Sequence, residues 1–205
     1  MKRNKILVLL VVLGFVGISC SGYIDAFKNI QRLQFKLGKV HNFKLAEVAI
    51  GDKLNPSDLG VLDMAKLVAA FSSGTLKTQF TLDLLAKNPN DGTGGTPNTS
   101  AVIKALEWKL YLDQKEVLQG NLNKGIEIPG VGQETVIPIE ISFDMMKYFS
   151  GENLNSLINL ALVLGGKQGS SSRLELKIKP TVDTIFGPIT YPNEITVIDK
   201  EFRSQ

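Results

Sequence analysis

One cysteine and one histidine among 205 residues remove whole classes of chemistry. A structural zinc site draws on about four Cys or His ligands, and a disulfide needs two thiols, so neither can form within this chain. A Cys/His dyad would require that Cys20 and His41 meet. Long apolar runs are also missing. The stretch from Ile6 to Ile18 spans 13 residues, whereas a helix that crosses the hydrocarbon needs about 20. Charge of one sign is scarce, with a formal net charge of +3. What remains is the composition of an ordinary folded protein, 43% hydrophobic and 21% charged, at a length suited to one domain.

The first twenty residues read as a secretory signal. Lys2, Arg3 and Lys5 form a basic start without acids, the apolar stretch follows, and small residues lead to Cys20. Val16-Gly17-Ile18-Ser19-Cys20 resembles the lipobox of bacterial lipoproteins, in which the cysteine is acylated and becomes the mature N-terminus. The resemblance implies cleavage between Ser19 and Cys20 and a diacylglyceryl anchor on Cys20. Two acyl chains hold a protein to a bilayer stably, whereas one holds it marginally. Ser21, rather than Asp, after the cysteine leans toward the outer membrane of a two-membrane envelope. Removal of residues 1–19 takes away three of the 23 basic residues and none of the 20 acidic ones, so the mature chain is neutral. The basic balance therefore reports export and gives no reason to expect nucleic acid as a partner.

Residues 20–32 are expected to form a lipidated tether, with one or two helical turns around Tyr23, Ile24, Phe27 and Ile30, and 33–205 the folded domain. The mature chain, 205 − 19 = 186 residues long, can bury roughly 70% of the surface of its unfolded form. Alternation of apolar and polar residues predicts one or two strands between Leu33 and Ile50, a strand over Leu76 to Leu84, a hairpin from Leu106 to Ile128, and strands at Ile137 to Phe143, Leu174 to Ile178 and Glu194 to Phe202. Pro56 opens a helical pattern whose apolar face is Leu59, Leu62, Ala65, Leu67, Val68 and Ala69. A second helical stretch runs from Asp144 to Leu164, broken at Ser150-Gly151. The expected fold class is mostly β: an antiparallel sandwich with two helical insertions.

The order of motifs resembles the late embryogenesis abundant type two family, the water stress and hypersensitive response (WHy) domain. The resemblance is carried by the strand ending in Asn88-Pro89-Asn90, the strand Leu106 to Leu112 with its Asp113-Gln114-Lys115 turn, Gly120 in the returning strand, Ile137-Pro138-Ile139, and the strand Leu174 to Pro180. It implies a fibronectin/immunoglobulin-like sandwich, an association with desiccation and stress, and no catalytic residues. The Asn-Pro-Asn turn is explained structurally: Asn88 satisfies local backbone groups, Pro89 ends the ladder, and Asn90 tolerates the left-handed region.

Other candidates are weak. His41 has no second His and no serine elbow beside it. Gly92, Gly94 and Gly95 lead through Pro97 into a strand, so no helix N-terminus is available to hold a phosphate, and Gly165-Gly166-Lys167 fails for the same reason. Glu107, Asp113, Glu116, Glu127 and Glu134 are spread over outward strand positions. No metal site and no cofactor are expected. The unusual stretch is Leu157 to Leu164, apolar nearly all round as a helix. It is expected to plug an open end of the sandwich; alternatively Leu157, Ile158, Leu160, Leu162 and Leu164 form an apolar contact surface for a lipid or an envelope protein. The expected function is that of a membrane-tethered, non-enzymatic protective or accessory domain, with carriage of an apolar ligand as the alternative.

Overall fold

The computed structural model describes residues 24–93, 96–112, 114–130, 132–165 and 174–197. A helix α1 (24–31) leads into β1 (Gln34–Leu45) and the short β2 (Val48–Ala49). A 3-10 turn at Pro56–Asp58, helix α2 (Val61–Ser72) and β3 (Lys77–Lys87) follow. The chain continues as β4 (Ala101–Leu112), β5 (Lys115–Leu122), β6 (Ile126–Ile128) and β7 (Glu134–Asp144), then α3 (Met145–Tyr148) and α4 (Leu154–Gly165). It closes with β8 (Leu174–Asp183), β9 (Ile189–Thr190) and β10 (Ile195–Val197).

Alternation sets the strands as expected. In β3 the even-numbered residues from Thr78 to Ala86 are buried and their neighbours are not, and β7 and β8 repeat the pattern. One sheet has the order β2-β1-β3-β7 and the other β10-β8-β4-β5, with β6 on β4 and β9 on β8. Every pairing is antiparallel. The chain crosses between sheets after β3, before β7 and after it, which is the connectivity of an immunoglobulin-type sandwich. One cluster of buried side chains fills the space between them.

The split apolar pattern between Leu33 and Ile50 belongs mostly to a single strand. Register shifts between Leu37 and Val40 and between His41 and Lys44 turn β1 twice, so that Phe35, Leu37, Phe43 and Leu45 are all buried although the spacing between them is broken. Phe43 then stacks on Phe80, with centroids 5.1 Å apart, and Phe80 meets Phe143 edge-on. Pro138 interrupts no ladder on its free side because β7 is the last strand of its sheet.

Two expectations need correction. The first concerns the helix after Pro56. Only a single turn forms there, closed by the Asp58 carboxylate accepting from the Leu54 and Asn55 N–H groups at 2.8 and 3.0 Å, and Leu59 is extended. The helix proper starts after Gly60 with a new rotational phase. Leu67 is buried and Met64, Ala70 and Phe71 lean on the core, whereas Leu62 is 78% and Val68 48% exposed. Apolar residues occupy both sides of α2, so periodicity could not select the buried one. The second concerns the tether. Residues 24–31 are helical and Ile30 is buried in the core, so the folded body begins before Leu33. The last strand is seen as β10; residues 198–205 lie outside the described residues.

Candidate functional site

Cys20 and Ser19, the expected acylation and cleavage positions, lie outside the described residues. The nearest described feature is α1, four residues downstream of Cys20, and the sequence folds it firmly onto one end of the sandwich. Tyr191, 1% exposed, donates its hydroxyl to the Ile30 carbonyl, and burial pushes that phenol well above its ordinary pKa. Asn90 donates its side-chain amide to the Asn29 carbonyl at 2.9 Å.

The Asn-Pro-Asn turn is the polar centre of this end. Asn88 is fully buried. Its amide donates to the carbonyls of Thr99 (2.8 Å) and Ile128 (3.1 Å), and its oxygen accepts from the Asn90 N–H at 3.1 Å. One side chain thus joins β3, the loop before β4 and β6. Gly130 is required beside it, since a Cβ there would sit 2.5 Å from the carbonyl oxygens of Asn90 and Thr99. Asn90 departs from expectation. It is not among the residues with positive φ, and its contribution is the side-chain bond to α1. The left-handed position falls to Gly92, with φ of 89°.

At the same end, the turn between β8 and β9 carries Ile185 and Phe186. A surface depression of about 280 Å³ is lined by Asp25, Ala26 and Ile30 of α1 on one side and by Val182, Thr184 and Ile185 on the other. Ile185 is 92% exposed. The sequence marks turns here at Gly187-Pro188 and Tyr191-Pro192-Asn193, but not the bond made by Tyr191, whose partner is remote in the chain.

The candidate contact surface on α4 is internal. Leu157, Ile158, Leu160, Leu162 and Leu164 are all buried, and Val163 is the exposed large apolar side chain of that helix. The helix lies on β1, and a Cβ on Gly165 would collide with the Phe43 ring. A cleft of about 420 Å³ opens beside it, between Lys115, Phe149, Glu152 and Ser156, with Lys115 4.9 Å above the Phe149 ring. Its lining mixes charge with apolar surface.

The remaining candidates are scattered. His41 is at the surface, with its Nε2 3.0 Å from Asp83. Glu107, Glu127 and Glu134 are exposed, and Glu116 accepts from the Tyr111 hydroxyl at 2.9 Å; Asp113 lies outside the described residues. The outer face of the second sheet holds a Lys109–Glu194 pair at 2.6 Å, which lowers the Glu194 pKa and raises that of Lys109. Among the described residues no three His, Cys, Asp or Glu side chains group as metal ligands, and no helix is long and apolar enough to cross a membrane.

No protein family and no curated protein matches this chain. Solved structures are similar to it. A crystal structure of a protein from Archaeoglobus fulgidus is 13% identical, with a TM-score of 0.32, and the match covers 62% of this chain and 86% of that one. The solution structure of a candidate late embryogenesis abundant (LEA) protein is also 13% identical, with a TM-score of 0.34, covering 92% of this chain and 84% of that one. The assignment of the sandwich rests on the strand order and pairing described above.

Proposed function

We propose that this chain is a lipid-anchored, non-enzymatic domain of a bacterial envelope that acts as a protective or accessory binding module. The observation that carries the proposal is the position of Cys20. The sole cysteine of the chain follows Val16-Gly17-Ile18-Ser19 at the end of a basic-then-apolar leader of secretory length. Acylation there gives attachment without a spanning helix. Resemblance to the late embryogenesis abundant type two family adds the stress role, and Ser21 adds the lean toward an outer membrane.

The structure supports an accessory role over carriage inside the sandwich. Residues such as Leu33, Phe35, Leu84, Ile103 and Leu110, each fully buried, fill the space between the sheets, and a filled core leaves no room for a lipid. The outward apolar residues of α2, Val61, Leu62 and Val68, suit contact with a partner.

The test is a Cys20→Ser variant of the whole chain expressed in a bacterial host. It should lose labelling by radioactive palmitate and leave the membrane fraction. A variant that remains membrane-bound at wild-type levels would overturn the anchor and point to an uncleaved leader.

A further inference from the structure

The β8–β9 turn combines a rigid backbone with the most exposed large apolar side chain among the described residues. Ile185 is 92% and Phe186 46% exposed, and Ile24, at the start of α1, is 50% exposed. All three belong to the end of the sandwich where the chain arrives from Cys20, because α1 and this turn line one depression. Val102, 38% exposed, stands behind them on β4, paired with Asp183. We propose that the Ile185-Phe186 turn is a second membrane contact, inserted at the headgroup boundary beside the acylated N-terminus, which fixes the orientation of the sandwich on the bilayer. This rests on the lipid-anchor reading.

Three observations carry it. The first is reach. Three residues separate Cys20 from Ile24, four steps that span at most about 14 Å even when fully extended, so an anchor at Cys20 holds this end of the sandwich against the lipid surface. The second is polarity. A turn that enters an interface must leave few backbone groups needing water. Here the Thr184 N–H donates to the Gly187 carbonyl (3.2 Å) and the Gly187 N–H to the Thr184 carbonyl (2.9 Å). The Thr184 hydroxyl also donates to the Gly187 carbonyl at 2.7 Å and accepts from the Phe186 N–H at 3.2 Å. Gly187, with φ of 98°, closes the loop in a conformation that a side chain would strain. The third is isolation from the other exposed apolar face. Helix α2 enters β3 at Lys77, whereas α1 enters β1 beside Lys87, so the two faces sit at opposite ends of a strand about 33 Å long. A bilayer reached from Cys20 meets the turn and not α2.

The experiment uses the full chain with Ile185→Cys, expressed in a bacterial host, purified from membranes and reconstituted into vesicles of phosphatidylethanolamine and phosphatidylglycerol. A thiol-specific nitroxide is attached, and its collision rates with oxygen, which concentrates in lipid, and with a water-soluble nickel chelate are measured. Leu62→Cys on α2 is treated identically. Acylation blocks Cys20, so one label per chain is expected. The label at 185 should be several-fold more accessible to oxygen relative to nickel than the label at 62. Equal water exposure at both sites, with one label per chain, would overturn the membrane contact while leaving the anchor intact. Protection at 62 in place of 185 would overturn it in favour of α2. Two labels per chain and no acyl mass would overturn the anchor itself, and the contact with it. A Phe186→Cys variant, whose side chain is half-buried, checks that depth falls from 185 toward the sandwich.

Discussion

Replacing Asn88 by Ala should be the costliest polar substitution in the fold. The side chain is fully buried and satisfies three backbone groups: the carbonyls of Thr99 and Ile128 and the N–H of Asn90. Alanine removes all three bonds. Each buried group left unsatisfied costs about 1–3 kcal/mol, and a water entering the space vacated by the amide recovers part of that. Taking the low end for each group gives about 3 kcal/mol, or a fall in Tm of roughly 6 to 12 °C for a domain of this size. Urea unfolding of the full chain, followed through its single tryptophan, Trp108, measures this directly. The midpoint should fall with the slope unchanged. Asn121→Ala, at an exposed position on β5, should stay within about 0.5 kcal/mol. A loss below about 1 kcal/mol for Asn88→Ala would refute the view that this turn is the polar tie between β3, β6 and α1.

Two glycine-related predictions follow from backbone geometry. Gly120 lies directly opposite Trp108, and a Cβ there would come within 2.7 Å of the indole Cε2, so Gly120→Ala should cost about 1–3 kcal/mol by displacing the ring; Gly51→Ala, with nothing within 4 Å, should be close to neutral, and equal effects in a thermal melt would contradict the packing. The β1–β2 hairpin places Ala46 and Glu47 at φ of 45° and 64°, so Glu47→Gly should raise stability by about 0.5–1 kcal/mol by relieving the left-handed strain. The exposed ion pair from Glu47 to Lys77, at 3.9 Å, is too weak to reverse the sign, and a lower midpoint would contradict that reasoning.

The sandwich was legible because its strands obey one simple rule. Phe80 to Leu84, Ile137 to Phe143 and Leu174 to Ile178 alternate strictly, and turns at Asn88-Pro89-Asn90 and Tyr191-Pro192-Asn193 separate such runs. Where two effects competed, the pattern failed. The first bulge of β1 inverts the phase at Val40 and the second restores it by Phe43, so one strand resembles two. Helix α2 carries apolar residues on both sides, and its buried face was set by the break at Leu59-Gly60, not by its own period. The helical stretch at α4 was recognisable as apolar nearly all round, and the structure uses its leucines inside. Near the N-terminus, Cys20 stood out by the basic start, apolar run and small residues that precede it. The bond from Tyr191 to Ile30 spans 161 positions, and no local signal could reveal it. The Ile185-Phe186 turn escaped notice because two apolar residues between turn formers have no period at all.

The central claim is that acylated Cys20 is the mature N-terminus. Intact-mass spectrometry of the protein extracted from bacterial membranes, with fragmentation of its first residues, tests it most directly. The expected result is a chain that begins at Cys20 and carries a diacylglyceryl group on that residue. A chain that retains residues 1–19, or one whose Cys20 thiol is free, would contradict the account.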